Sequence, residues 1–340
     1  SIMVEAATQS FALYYIIIIT FYLGELVWRE RNNKVQQITD SLPIGNYTLL
    51  FGKFISMVLV LIVIGLVVML SSMCVQLIKG YTNFELLLYI KYLFGIDLIG
   101  YVILAMFAFF VHSLVNNKFM GHAIVILYYI LIIALAANDL VNNLYLFNHY
   151  PSFTLSDMNG FGHFLTGVKW FTAYWFFFGT ILLILASLLW VRGSESSFKA
   201  RLKIAANRFT STNKTLLFIC VGLFLLCGSF IYYNTTVINH FIGPKEVLKI
   251  QARAERIYKK YSHTLQPRIY AVNNFVDIFP TEKKIKIVGT YLLHNLNKNS
   301  VYTIILNLSE SAHIENKKII FSKNNHVILS DDTMGFYQFK

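Results

Sequence analysis

The chain has 340 residues, 56% of them hydrophobic and 14% charged, with a net charge of +12 and a mean hydropathy of +0.57. Soluble domains carry roughly a quarter charged residues, so a wholly water-soluble globule is excluded. The net positive charge does not call for nucleic acid, because the cations cluster in the connections between apolar runs. Cys74, Cys220 and Cys227 all lie in apolar runs without C-x-x-C spacing, which excludes a zinc or redox pair and leaves packing as their role. No cleavable signal peptide is visible. Ser1 and the strand-like end at Lys340 are read as the cut ends of a longer protein.

In chain order, six runs approach the roughly 20 apolar residues that cross a hydrocarbon core: about 11–27, 54–78, 94–115, 119–137, 168–191 and 215–233. A run such as VLVLIVIGLVVML is too long for a buried strand and too apolar for a surface helix. The expected fold is therefore a mainly α membrane protein with six transmembrane helices over 1–234. An external helical linker over 235–266 and an incomplete antiparallel β-sandwich or saddle over 267–340 follow. Trp28, Trp170, Trp175 and Trp190 fall near span ends, as interfacial aromatics do.

Orientation follows from lysine and arginine in the short connections. Arg29, Arg31, Lys34 and Lys53 flank the first connection, Lys118 marks the third, and Arg192, Lys199, Arg201, Lys203, Arg208 and Lys214 fill the fifth. The second has only Lys79 and Lys91, and 138–167 has none. The basic connections are thus assigned to the cytoplasm and the tail to the outside.

Within the first connection, Val35, Ile38 and Leu42 recur at helical spacing between polar residues, and Pro43 and Gly45 stop the pattern. This describes a short amphipathic helix that either lies on lipid or docks on a soluble partner. Gly45 and Gly52-Lys53 are not a nucleotide site. Six residues separate the glycines instead of four, and Phe54 replaces the magnesium-binding hydroxyl.

Glu30-Arg31, the short helix, Leu42-Pro43 and Leu49-Leu50-Phe51-Gly52-Lys53 together resemble the permeases of ABC-2-type exporters. The resemblance implies that Glu30, Arg31, Val35, Ile38, Leu42 and Pro43 form the loop that contacts a separate ABC ATPase subunit. It also implies a second permease half or a homodimer, and ATP held by the partner. The family's module has one span ahead of this loop's leading span, which is missing here. Residues 215–233 then act as an added crossing that delivers the tail outside.

Intramembrane carboxylates are functional by default, but Asp97 lies near a span end, and an interfacial position is favoured over a polar membrane site. Glu25 and Glu30 are expected to pair locally with Arg29 and Arg31, and His112 and His122 to be structural. Asp157, Asn159 and Gly160 read as an outer-loop turn. With Trp170 and Tyr174-Trp175, that stretch resembles permeases of Bacteroidetes-type bacteria fused to a peptidase-like domain.

The tail opens with a charged helical stretch over 244–262, ended by Pro267. Strand-like runs then cover 268–279, 284–294, 301–308, 318–321, 326–330 and 335–340, with a bulge expected at Gly289 and an unpaired edge at the last strand. Val276-Asp277-Ile278-Phe279-Pro280, Lys283-Lys284-Ile285, Gly289-Thr290-Tyr291 and Asn295 resemble the opening β domain of aminopeptidase-N-like zinc peptidases. Neither H-E-x-x-H nor G-x-M-E-N is present, so no catalytic or metal residue is assigned, and zinc enters only with a peptidase part beyond this chain. The leading expectation is an exporter permease. The alternatives are a membrane-anchored zinc peptidase and a membrane-tethered binding module.

Overall fold

The computed structural model describes residues 2–137, 142–156, 158, 160–190, 198–239, 243–282, 284–308, 317–322, 325–332 and 334–340. The chain divides into two compact units, Ser1–Lys245 and Glu246–Lys340.

Among the described residues, six helices are long and apolar enough to cross a membrane, giving the first unit the composition of a multi-pass membrane protein. They are α1 (Ile2–Asn32), α3 (Asn46–Ile78), a third running from Leu86 to Leu114, α6 (Lys118–Ala137), α7 (Phe164–Leu189) and α9 (Ser211–Tyr232). The third is built of α4 (Leu86–Tyr89), a π-helical stretch (Ile90–Asp97) and α5 (Leu98–Leu114). Two short helices, α2 (Gln36–Ser41) and α8 (Phe198–Arg208), lie in the first and fifth connections. All five prolines fall outside the six long helices, so their backbone ladders stay intact, as hydrocarbon demands. Hydroxyls of Thr20, Ser56, Ser72 and Thr180 donate to the carbonyl four residues back, all at 2.8 Å, which removes them from the apolar surroundings.

Helix ends depart most from the hydropathy reading. α1 starts at Ile2 and α3 at Asn46, each about two turns before its apolar run, because hydropathy marks the hydrocarbon level and a helix continues through polar residues beyond it. α3 stops in a Schellman turn: Gly80 N–H donates to Leu77 O and Tyr81 N–H to Gln76 O, both at 2.9 Å, with Gly80 at φ +79. α7 starts at Phe164, which adds the exposed Lys169 to the end opposite the basic connections.

α5 is the central helix, packed against α1, α3, α6 and α7, while α9 packs on α7. Small residues allow the approach. A Cβ on Gly179 of α7 would lie 2.7 Å from Met106 Sδ of α5, and one on Gly228 of α9 would lie 2.9 Å from the Tyr174 ring of α7.

In the second unit, α10 (Pro244–Tyr258) starts with proline in its first turn, where the missing N–H is harmless. β1 (Arg268–Phe279) and β2 (Lys284–His294) form an antiparallel hairpin exposed on both faces. A second antiparallel sheet has the order β3-β5-β4, from β3 (Ile304–Asn307), β4 (Val327–Asp331) and β5 (Phe336–Phe339). Three expectations change. The register shift falls between Ile269 and Ala271, while Gly289 sits in regular register opposite Asn274. Residues 318–321 form no strand. The last strand is the centre of its sheet and not an edge, because burying Phe336, Tyr337 and Phe339 requires a neighbour on each side.

Candidate functional site

The three basic connections meet at one end of the first unit. Lys53, in the second turn of α3, donates to Glu30 at the end of α1 and to the Val27 carbonyl at 3.3 Å, and its Nζ lies 5.4 Å from the Trp190 ring centre. The lysine side chain is 12% exposed, so removal from water is offset by a charge partner and an aromatic face. Lys118 pairs with Glu25 at 2.6 Å, tying α6 to α1. Both glutamates therefore pair across helices and not with the neighbouring arginines. Arg29 and Arg31 are each one residue from Glu30 and so point away from its face of the helix. Arg29 stands one turn beyond Glu25 without displacing Lys118 from it, and Arg31 lies over the Trp28 ring at 4.9 Å.

α8 joins this end through Arg201, which is 3% exposed. Its guanidinium donates to Leu114 O at 2.8 Å, to Ser113 O at 3.3 Å and to Asn116 Oδ1. The Ser113 and Leu114 oxygens are carbonyls at the C-terminus of α5, which have no partner within their own helix and carry the negative end of its dipole. Burial holds the Arg201 guanidinium below its usual value, with its charge offset by those carbonyls.

α2 lies on this braced platform. Asp40, Gln36 and Thr39 line a cleft of about 30 Å³ with Glu30, Arg31 and Lys53, room for a water molecule among polar partners. On α2 and its flanks the apolar residues point elsewhere: Val35 is 40% exposed, Ile38 66% and Leu42 43%. Pro43 ends the helix, and Leu42 is already extended at ψ 142. The amphipathic helix read in the sequence is thus present, shorter by a residue at each end, with its apolar side uncovered.

The opposite end holds the remaining candidates. Asp97 is the last residue of the π-helical stretch, half-buried, and accepts a hydrogen bond from Thr8 Oγ1 at 2.8 Å. Tyr15, Tyr92, Tyr101 and Tyr150 are close enough to feel its charge. The outer loop packs beside it through Leu155 N–H on Glu5 at 3.2 Å and Trp175 Nε1 on His149 O at 3.0 Å. Gly160, at φ +59, exchanges two backbone hydrogen bonds with Ser156, at 2.9 and 2.7 Å, so the turn exists. Asp157 and Asn159 lie outside the described residues.

Sequence reasoning missed the bracing roles of Lys53 and Arg201. Their signal, a cation just inside or beside an apolar run, is visible in the sequence, but their partners lie 23 and 85 or more residues away. Among the described residues no three of His, Cys, Asp and Glu gather as a metal site. No protein-family model, no curated protein and no solved structure matches this chain.

Proposed function

We propose that this chain is the membrane-spanning part of an ATP-driven exporter of the ABC-2 type, with the basic end in the cytoplasm of a bacterial cell and the second unit outside. The observation that carries this reading is the uncovered apolar side of α2, at 66% exposure for Ile38, on a helix that borders the Lys53–Glu30 pair joining α1 to α3. An amphipathic helix between two long helices fits a groove on a soluble partner and can pass that partner's movement into α1 and α3. Eleven cations on the basic connections, against two in the second and none over 138–167, support the orientation. ATP binding belongs to a separate subunit, and a second permease half completes the pathway. Six long apolar helices exceed what a tether for an external peptidase or binding module needs, since one span suffices.

Purification of the full chain from its native membrane is expected to bring down a polypeptide that carries a phosphate-binding loop. Ile38→Asp combined with Leu42→Asp is expected to abolish that association while elution volume and melting stay unchanged. Association unaffected by the two charges would place Ile38 and Leu42 in lipid and end the coupling reading.

A further inference from the structure

Between α3 and α9 the first unit contains a crevice of about 790 Å³, within the roughly 300–1,000 Å³ range of small-molecule pockets. Its floor is α5 and α7, with Met106, Phe109 and Leu183, and its walls are Phe54 on α3 and Leu216 and Cys220 on α9. α3 and α9 flank it with little packing between them, so it faces sideways, toward the surroundings of the bundle.

Three properties converge on one occupant. The first is depth: α7 lines the crevice from Phe176 to Ser187, about 16 Å of helix at 1.5 Å per residue. That is half of a hydrocarbon core roughly 30 Å thick, so the crevice is one leaflet deep. The second is polarity, which gathers at the end beside the basic connections, while the one hydroxyl deeper in, that of Thr180, is spent on Phe176 O at 2.8 Å. At the basic end the Tyr47 hydroxyl donates to Asn213 Oδ1, Asn213 Nδ2 donates to Arg208 O at 3.0 Å, and Thr210 and Thr212 stand alongside. The third is charge. Lys214 stands beside the lining, next to Asn213 in the first turn of α9, exposed, with Nζ 5.6 Å from the Phe209 ring centre and with no ion pair among the described residues. Exposed Lys199 and Lys203 lie on α8, which leads into that turn.

We propose that the crevice binds an acyl chain of an anionic membrane phospholipid from the leaflet at the basic end, with its headgroup at Lys214 and the Tyr47–Asn213 bridge. An apolar slot one leaflet deep excludes water and takes hydrocarbon, while the polar rim sits at headgroup level and the cation selects a negative head. The site requires a bilayer and no ATPase, so it stands or falls apart from the coupling proposal.

The test uses the purified full chain in lipid nanodiscs with a photoactivatable diazirine placed midway along the acyl chain of phosphatidylglycerol or of phosphatidylcholine. Labelled peptides are then mapped by mass spectrometry. Phosphatidylglycerol is expected to label the crevice faces of α3, α7 and α9 above the exposed apolar face of α6 at Leu127 and Leu131. Excess unlabelled phosphatidylglycerol is expected to displace the crevice label and leave the α6 label, a result that needs no variant. Leu216→Trp, which narrows the mouth, is expected to remove the crevice label alone. Lys214→Gln is expected to lower the preference for the anionic lipid by about fivefold, the effect of one cation near the surface. Label spread evenly over α6 and the crevice, or crevice labelling by phosphatidylcholine equal to that by phosphatidylglycerol, overturns the proposal.

Discussion

At the scale of residues, the tightest fit in the first unit surrounds two imidazoles. His112 of α5 and His122 of α6 meet edge to face with ring centres 5.0 Å apart, and His122 Nδ1 lies 3.0 Å from Thr20 O on α1. Two glycines make the room: a Cβ on Gly24 would lie 2.2 Å from His122 Cε1, and one on Gly121 would lie 2.3 Å from His112 Nδ1. Overpacking a filled interior destabilises by roughly 1–3 kcal/mol, so Gly24→Ala and Gly121→Ala are each expected to lower stability by about that much in a detergent unfolding titration. Adding His112→Ala is expected to recover most of the Gly121→Ala loss, as coupled neighbours do. Gly222→Ala, with nothing within 4 Å of its added Cβ, is the control and is expected to change little. Equal effects of Gly121→Ala and Gly222→Ala would show that the histidines do not set the spacing.

At the scale of elements, the junction of α8 with the end of α5 rests on the shape of one side chain. The guanidinium of Arg201 reaches two carbonyls and the Asn116 amide oxygen together, and an ammonium cannot reproduce that fork. Arg201→Lys is therefore expected to lose about 1.5–3 kcal/mol, the range for hydrogen bonds involving charged groups, and to expose the α8 region to protease. Wild-type resistance in that variant would argue against the brace. In the second unit, the β3-β5-β4 sheet carries a charged cluster: Lys317 donates to Asp332 Oδ1 at 2.8 Å and to the Tyr337 hydroxyl, and Tyr337 donates to Asp332 at 2.5 Å. The hydrogen bonds to Asp332 and Tyr337 raise Lys317 above its ordinary 10.5, and those from Lys317 and Tyr337 hold Asp332 below its ordinary 3.8. A raised lysine contributes below its unfolded value and loses that contribution as pH rises through the folded one. A lowered carboxylate contributes above its unfolded value and loses it as pH falls through the folded one. The cluster thus acts across the interval between the two ordinary values and fades outside it. The melting difference between wild type and Lys317→Met is expected to be largest near neutral pH, to shrink below pH 3.8 and above pH 10.5, and to weaken with salt, because these groups are exposed.

At the scale of the whole molecule, the proposed orientation predicts which face each unit presents. In a variant without Cys74, Cys220 and Cys227, a cysteine at Tyr302 is expected to react with a membrane-impermeant thiol reagent in sealed right-side-out vesicles. A cysteine at Lys203 is expected to react only after the vesicles are opened, and the reverse pattern would invert the assignment. Much of this level was legible in the sequence. Hydrophobicity adds along a run, so the six long helices announce themselves without knowledge of their neighbours. Charge bias likewise grouped the connections that the structure gathers at one end. Val35, Ile38 and Leu42 marked α2, and alternation marked β1 and β2, because these patterns repeat within a few residues. What tertiary structure alone decided is which elements are neighbours. Lys53 meeting Glu30, Arg201 meeting the end of α5, two histidines fitting against two glycines, the last strand lying at the centre of its sheet, and a crevice opening between α3 and α9 all follow from that choice. Nearest-neighbour periodicity cannot carry such information, since each contact joins residues far apart in the chain and depends on how side chains fill the space between packed helices.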